Sequence, residues 1–335
     1  MKVRPKDIRN ICVIQLQPFG DVLLTTSCFK ALKDYFSGAR LVYLTKEPYQ
    51  KIVENHPYID RIIRIRKEKG LRYLGERRRI IGELRKEKFD LVIDYQGMPS
   101  SQILAFFSGS PHRLGYRTER KNLEFIYTIH SEFGPPRYSA VQKADLLKPL
   151  GMTERPVSLI LPIPEDDQLA MDAWMKEQGL SPDKTLAISP GSRYAFKKWP
   201  APAFARVADL MEESHGFKTV ILWGPGEERD ADRVRSLMKT PAFIAPPTTF
   251  QKAGAIMKKV TVLVCNDNGI SHSSAALGVR TVAVFGPTDP RCWSPAGIFP
   301  THRHLHNPSA DKNDPWFGVT ADRVFSEVTN LLDLS

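Results

Sequence analysis

The sequence predicts an α/β protein built from two Rossmann-like, doubly wound domains that face each other across a cleft. Three observations support this prediction. Apolar runs of strand length alternate with amphipathic helical stretches, a proline-rich segment interrupts the alternation once, and 335 residues are enough for about two domains. Near-continuous apolar strands with helices between them are typical of a parallel sheet covered on both faces.

The N-terminal domain, residues 1–160, follows this alternation from its first apolar run. The pattern predicts, in order, a strand over Ile11–Leu16, a helix over Val22–Tyr35, a strand over Arg40–Leu44, a helix over Leu71–Lys86 and a strand over Leu91–Tyr95. Three prolines, at positions 156, 162 and 164, interrupt the segment from 150 to 167, which we interpret as a linker.

The same alternation restarts in the second domain, residues 161–320. It predicts a strand over Leu186–Ser189, a helix over Ala201–Ser214, a strand over Thr219–Trp223, a helix over Glu227–Met238, a strand over Val260–Cys265, a helix opened by Ser271 and a strand ending at Phe285. Residues 321–335 contain a last predicted helix, near Ala321–Leu332. Packing back on the N-terminal domain is one arrangement open to that helix.

The charge of the chain favours an anionic partner. There are 48 basic and 37 acidic residues, so the net charge is +11, and residues 61–88 alone hold twelve Lys or Arg and four Glu. A solvated helix face is the alternative explanation for part of this run. Since no helix-turn-helix, zinc-finger or RNP-like motif accompanies the charge, an acidic substrate or a phosphorylated membrane surface fits better than nucleic acid.

Cysteine usage and hydropathy indicate the compartment. The four cysteines lie far apart and lack the spacing of metal ligands, which favours a reducing cytosol. The N-terminus does not have the pattern of a signal peptide, and no apolar run approaches the roughly 18 residues of a membrane span. We therefore expect a cytoplasmic protein, either free or peripherally attached to the inner face of the membrane.

Polar and small residues gather where predicted strands end, which is the edge where open α/β sheets bind ligands. The turn Asn266–Ile270 precedes a helix whose free N–H groups and positive dipole end suit a phosphate, although simple helix capping is the alternative. Ser192 lies in another small-residue turn, and Lys198 follows it closely. Backbone N–H groups in such a turn can approach phosphate, and a nearby lysine can neutralise a leaving diphosphate, so both residues are candidates for donor binding.

Five segments together resemble the family-9 glycosyltransferases, typified by the ADP-heptose:lipopolysaccharide heptosyltransferases. They read IQLQPFGDVLLTT, FDLVIDYQG with HRLGYR after it, SPGSRYAFKKWP, WGPGEE, and CNDNGISHSSAALG followed by VFGPTDP, and they span nearly the whole chain in the order of the family. The resemblance implies a GT-B-like fold, with the acceptor bound by the N-terminal half and a nucleotide sugar by the C-terminal half.

The resemblance also implies roles for individual residues. The catalytic aspartate of the family falls on Asp21, and its diphosphate-binding lysine falls on Lys197. The acidic ribose contact maps to Glu227, with Glu228 as the alternative because that loop varies in length. The family's motif near the diphosphate maps to Asp267, Asn268, Gly269 and His272, where Asn268 replaces the usual hydroxyl residue. Asparagine retains a donor and an acceptor, so donor binding could survive this change.

The chemistry expected of such a site is inverting glycosyl transfer. Asp21 would take the proton of an acceptor hydroxyl as that oxygen attacks the anomeric carbon, although capping a helix is the commoner role of such an aspartate. Lys197 would bind the departing nucleoside diphosphate, so that no metal or other cofactor is needed. The one DxD-like string, at 230–232, lies in a predicted helix among arginines, and we interpret it as a solvated face.

The basic residues of the N-terminal half are candidates for binding the acceptor. A lipopolysaccharide inner-core precursor carries phosphates and acidic sugars, and it would explain the positive charge and a peripheral membrane contact. The candidates are Arg61, Arg64, Arg113, Arg117, Arg120 and Lys121.

Two other functions remain open from the sequence. An NAD-dependent oxidoreductase would share the Rossmann-like domains, but it needs a complete glycine fingerprint, and neither the Asp21 turn nor the segment at 224–229 has one. A non-catalytic protein that binds anions or nucleic acid would use the basic stretch and be indifferent to Asp21. Histidines at 302, 304 and 306 alternate as in a strand and could form a metal site only with further ligands.

Overall fold

The chain divides into two compact units, Met1–Pro162 and Ile163–Ser335. The structure, a computed structural model, describes residues 3–117, 125–152, 157–311 and 314–333. The division falls two residues after the boundary at 160 that the proline-rich segment indicates. Within the described ranges, no helix is both long enough and apolar enough to cross a bilayer.

The first unit is a six-stranded, parallel sheet within the described part of the chain. Its strands are β1 (Asn10–Ile14), β2 (Arg40–Lys46), β3 (Arg61–Ile65), β4 (Leu91–Asp94), β5 (His112–Tyr116) and β6 (Ile129–Ser131), in the spatial order β3-β2-β1-β4-β5-β6. Its helices are α1 (Phe19–Thr25), α2 (Phe29–Tyr35), α3 (Gly70–Glu87), α4 (Pro99–Phe107) and α5 (Ser139–Asp145). The strand order reverses between β1 and β4, and open α/β sheets bind ligands at such a switch point.

The second unit repeats this plan. Its strands are β7 (Thr185–Ser189), β8 (Lys218–Ile221), β9 (Ala242–Ile244), β10 (Val262–Asn266), β11 (Thr281–Phe285) and β12 (His302–His306), in the spatial order β12-β11-β10-β7-β8-β9. Its helices are α6 (Glu165–Glu177), α7 (Ala201–His215), α8 (Glu228–Leu237), α9 (Phe250–Met257), α10 (Gly269–Leu277), α11 (Pro290–Trp293) and α12 (Ala321–Asp333). Its switch point lies between β7 and β10.

The predicted helix over 22–35 is two helices separated by a 3-10 turn. Thr25 and Thr26 donate side-chain hydrogen bonds of 2.7 Å to the backbone carbonyls of Asp21 and Leu23. Such bonds back to the preceding turn bend helices, which agrees with the change of geometry at Thr26. The first helix begins at Phe19, so Asp21 lies in its first turn rather than before it.

Several elements lie where the hydrophobic pattern is weak. Helix α6 begins at Glu165, inside the segment interpreted as a linker, and its first turn carries three acidic residues after Pro164. Acidic side chains interact favourably with the positive end of a helix, so the helix forms despite the prolines that precede it. Strand β3 carries arginines that obscure its apolar period, and β6 and β9 have only three residues each.

The C-terminal helix α12 belongs to the second unit. Val324, Val328 and Leu331 are buried in the same apolar cluster as Phe204 and Met211 of α7. The spacing of these three residues, at i, i+4 and i+7, places them on one face of the helix. The apolar face of α12 therefore packs in the core of the second unit.

We expect Leu331→Ala to destabilise the second unit by about 2–3 kcal/mol, because it removes a buried side chain from a close-packed cluster. Urea denaturation that follows the second unit measures the loss. Ser326→Ala, on the exposed side of the same helix, is the control and should change stability little. Equal effects of the two substitutions would show that α12 does not pack in this core.

Candidate functional site

Asn266 organises the C-terminal edge of the second sheet. Its side chain is fully buried at the end of β10, where its Oδ1 accepts a hydrogen bond from the Trp199 backbone N–H at 2.9 Å and its Nδ2 donates to the Pro190 carbonyl at 2.8 Å. One amide therefore holds the turn after β7 and the start of α7 against the central strand. In the sequence, Asn266 is distinguishable only as part of a polar turn, because both of its partners lie more than 60 positions away.

Asp267 and Lys197, both predicted site residues, form an ion pair. The Lys197 ammonium lies 2.6 Å from Asp267 Oδ2, and the Thr288 hydroxyl donates to the same oxygen at 2.7 Å. The Asp267 side chain is 4% exposed and that of Lys197 is 17% exposed. An ammonium has three N–H donors. The pair thus fixes the position of Lys197 at a sheet edge while using one of its donors.

Asn268 caps helix α10. Its Oδ1 accepts hydrogen bonds from the N–H groups of Ile270 and Ser271, at 3.0 and 3.4 Å, and its Nδ2 donates to the Gly191 carbonyl at 2.8 Å. The donor and the acceptor expected of this asparagine are thus both used within the protein. Asn268 therefore joins the start of α10 to the turn after β7, and two of the helix N–H groups already have a partner.

Glu227 lies against the small-residue turn after β7. Its Oε2 accepts a hydrogen bond from the Gly224 N–H at 3.0 Å, and a β-carbon at Gly191 would collide with its carboxylate. Burial raises the pKa of Glu227 above its usual value. The neighbouring Glu228 is exposed. The geometry therefore places Glu227 beside the loop that contains Ser192.

Lys198 forms an ion pair with Asp230 of α8 at 2.6 Å. The interpretation of residues 230–232 as a solvated face is therefore wrong for Asp230, whose side chain is 29% exposed. It holds for Asp232, which is about half exposed and pairs with Arg235 one turn away. Asp230 connects the start of α8 to the loop before Trp199.

The first turn of α10 contributes buried polar side chains. Gly269 begins the helix, and Ser271 and His272 are 1% and 4% exposed. The Ser271 hydroxyl has no hydrogen-bond partner among the described residues. Ser192 is also buried, and its Oγ accepts from the Tyr194 N–H at 3.5 Å. All the predicted donor-binding residues thus lie in one unit, on the loops that follow β7, β8 and β10 or in the first turn of α10.

In the first unit, Asp21 lies beside a buried lysine. The Lys143 ammonium is 3.6 Å from Asp21 Oδ1, and their side chains are 8% and 33% exposed. Lys143 Nζ also lies 6.0 Å from the centre of the Tyr95 ring, at the end of β4. Lys143 is not evident from the sequence, because the helix α5 that carries it has only seven residues.

The predicted acceptor-binding arginines have different surroundings. Arg61 pairs with Glu83 and Glu87 of α3, and Arg117 pairs with Glu132 at 3.2 Å. Arg113 is half-buried, and its guanidinium donates to the carbonyls of Ser110 and Ile126. Burial lowers the pKa of Arg113. Arg64 is exposed, and the remaining candidates, Arg120 and Lys121, lie outside the described residues.

Of these arginines, Arg117 follows the C-terminal end of β5 and so lies at the same edge of the sheet as Asp21. Arg61 begins β3, and its ion pairs attach it to α3. The guanidinium of Arg113 is also held within the protein, by hydrogen bonds to backbone carbonyls. Arg64 and Arg117 therefore present the more accessible positive charge among the described candidates.

The histidines of β12 have separate environments. The buried His302 interacts through its Nε2 with Ser274 Oγ at 3.0 Å, and His304 interacts through Nδ1 with Ser294 Oγ at 2.9 Å. Within the ranges that the structure describes, no three His, Cys, Asp or Glu side chains come together as metal ligands would. His302 instead packs against α10 through Ser274, and His304 contacts the residue that follows α11.

Comparison with known proteins identifies relatives over nearly the whole chain. The sequence model of "Glycosyltransferase family 9 (heptosyltransferase)" matches residues 77–314. Lipopolysaccharide heptosyltransferase 2 of Escherichia coli (strain K12) is 24% identical over 295 residues, which cover 84% of each chain.

Solved structures show the same fold. A family-9 glycosyl transferase from Veillonella parvula DSM 2008 has a TM-score of 0.88 at 24% identity, with 98% of each chain covered. The ADP-heptose lps heptosyltransferase II of E. coli has a TM-score of 0.79 at 18% identity, with 97% of this chain and 99% of that chain covered. The expected GT-B-like α/β fold is confirmed.

We expect the protein to lose stability in acid partly through His302. Burial lowers the pKa of His302 to about 4, whereas an unfolded histidine titrates near 6.5. Between about pH 4 and pH 6.5, the folded state therefore binds fewer protons at this histidine than the unfolded state does. The contribution of His302 to the free energy of unfolding is fully present above about pH 6.5 and is lost as the pH falls towards 4. The loss between pH 7.5 and pH 5 should be roughly 2 kcal/mol.

The measurement compares the free energy of unfolding of the second unit at these two pH values. His302→Gln should show a pH-dependent loss smaller by that amount, whereas His306→Gln, on the same strand but half-exposed, should behave like the unchanged protein. A loss that is the same in all three proteins would contradict the assignment.

Proposed function

Because the chain belongs to glycosyltransferase family 9, the heptosyltransferase family, we propose that it transfers a heptose or a related sugar from an ADP-linked donor to a hydroxyl of an anionic lipopolysaccharide inner-core acceptor. The names of the relatives support this choice, since they include lipopolysaccharide and ADP-heptose. The observation that carries the proposal is the Lys197–Asp267–Thr288 cluster beside the start of α10.

The second unit would bind the donor. Lys197 and the N-terminus of α10 provide positive charge at one sheet edge, which suits a diphosphate. As the bond to the sugar breaks, negative charge grows on the leaving diphosphate, and a fixed ammonium stabilises that charge more than it stabilises the ground state. Glu227, held by the Gly224 N–H, has a second carboxylate oxygen that could accept hydrogen bonds from ribose hydroxyls.

The first unit would supply the base. Asp21 accepts the proton of the acceptor hydroxyl while that oxygen forms its bond to the anomeric carbon and the nucleoside diphosphate departs, so the anomeric configuration inverts. The Asp21 side chain is 33% exposed, which leaves it accessible to an acceptor. Lys143, 3.6 Å away, restrains the orientation of this carboxylate.

The acceptor would be anionic. The net charge of +11 and the exposed Arg64 and Arg117 favour phosphates and acidic sugars. A lipid-linked acceptor also requires the enzyme to work at the cytoplasmic face of a membrane, which agrees with peripheral attachment. Neither an NAD-dependent oxidoreductase nor a simple anion-binding protein requires a carboxylate at position 21.

We expect Asp21→Asn to lower the transfer rate by a factor of at least 100, because general-base catalysis typically contributes 10²–10⁴-fold. ADP affinity, measured by calorimetry, should stay within about twofold, since Asp21 belongs to the other unit from the donor residues. Asp34→Asn, on the exposed side of α2, is the control and should leave transfer unchanged.

Two results would contradict the proposed function. Loss of both transfer and ADP binding in Asp21→Asn would indicate that Asp21 is a structural cap. Binding of NAD by the unchanged protein without binding of ADP would favour an oxidoreductase.

A further inference from the structure

Helix α4 exposes an apolar face in place of the polar outer surface usual for a helix on a doubly wound sheet. Ile103, Phe106 and Phe107 are each 40% or 41% exposed, and their spacing at i, i+3 and i+4 places them on one face. Phe125, 66% exposed, packs edge-on against Phe106 with ring centres 5.9 Å apart. We call these four residues the α4 patch. A cluster of large exposed apolar side chains marks an interaction site.

Three arginines contact helix α4. The Arg113 guanidinium lies 5.7 Å over the Phe106 ring. Arg85 of α3 donates to the Phe107 carbonyl at 3.1 Å, and Arg77 donates to the Ser100 carbonyl at 3.1 Å. These contacts hold three cations along the edges of the patch, at both ends of α4.

The acidic residues of α3 are turned to its other side. Glu76, Glu83 and Glu87 recur at intervals of seven and four, so they share one face, where they pair with Arg79, Arg61 and Arg40. Helix α4 contains no acidic residue. Charge is therefore segregated across α3: its glutamates are neutralised on the side of β3, and the side next to α4 is positive.

We propose that the α4 patch and its arginines bind the surface of an anionic phospholipid bilayer. Phenylalanine and isoleucine side chains insert at the boundary between headgroups and acyl chains, while arginines beside them pair with lipid phosphates. This combination of apolar burial and charge attraction is the one that stable peripheral attachment requires. The inference rests on the proposed function in one respect: an enzyme with a lipid-linked acceptor has to reach that acceptor at a membrane surface.

Charge also distinguishes this occupant from a second copy of the chain. A symmetric dimer through the α4 patch would bring the same arginines of both copies together, and like charges at short range repel. Phosphatidylglycerol headgroups present the opposite charge.

The test measures co-sedimentation of the full chain with vesicles of phosphatidylcholine alone or mixed with phosphatidylglycerol. We expect binding to the mixed vesicles that weakens as salt rises, and little binding to phosphatidylcholine alone. The double substitution Phe106→Ser, Phe107→Ser should lower the partition coefficient at least tenfold, as should Arg85→Glu. Leu169→Ser, which alters an exposed apolar residue of α6 in the other unit, is the matched control and should bind as the unchanged protein does.

Three results would overturn the inference. The Phe106/Phe107 variant could bind the mixed vesicles as well as the unchanged protein does, or the unchanged protein could self-associate in sedimentation velocity while this variant does not. The third result is that the unchanged protein binds single-stranded DNA but not vesicles. A melting curve checks that the variant folds. We expect that it does, because both substituted residues are exposed. Transfer to a water-soluble acceptor should survive in this variant. If the unchanged protein does not transfer, the proposed function fails while the vesicle result still decides this inference.

Discussion

The ion pair between Lys197 and Asp267 is the interaction on which the candidate donor site depends. It joins the loop before α7 to the end of β10, and the Thr288 hydroxyl fixes the shared carboxylate oxygen from the loop after β11. Removing one member of a nearly buried pair leaves the other charge uncompensated, at a cost of about 3–5 kcal/mol. Such a pair specifies the position of an ammonium more than it stabilises the fold, and a fixed ammonium is what a diphosphate site needs.

Hydrogen bonds between uncharged groups fix the loops at the same edge of the second sheet. Asn266 and Asn268 hold the backbone of the turn after β7 through the carbonyls of Pro190 and Gly191. A larger residue at Gly191 would displace Glu227, so the turn, the carboxylate and the helix cap are mutually dependent. In the first unit, a buried lysine likewise lies beside a carboxylate, that of Asp21. Each unit thus presents one polar cluster at the C-terminal edge of its parallel sheet.

The fold and the turns that carry the candidate donor residues were predictable from the sequence, because apolar strands and polar turns alternate regularly along the chain. The sequence did not predict which side chains pair with each other, because ion pairs such as Lys198–Asp230 join residues 32 positions apart. Lys143 was missed because α5 is short, and α6 because prolines precede it. The arginines of the first half show the same limit: composition indicates positive charge, but only the structure shows that Arg61 is paired and that Arg85 borders an apolar patch.

The most direct test of this account is the affinity of Lys197→Met for ADP, AMP and adenosine, measured by calorimetry beside the exposed control Lys258→Met. Loss of a charge-assisted contact to the diphosphate should weaken ADP binding by roughly 10- to 100-fold, weaken AMP binding less, and leave adenosine binding unchanged. Unchanged ADP affinity, or an equal loss for all three ligands, would contradict a diphosphate site at the Lys197–Asp267 pair.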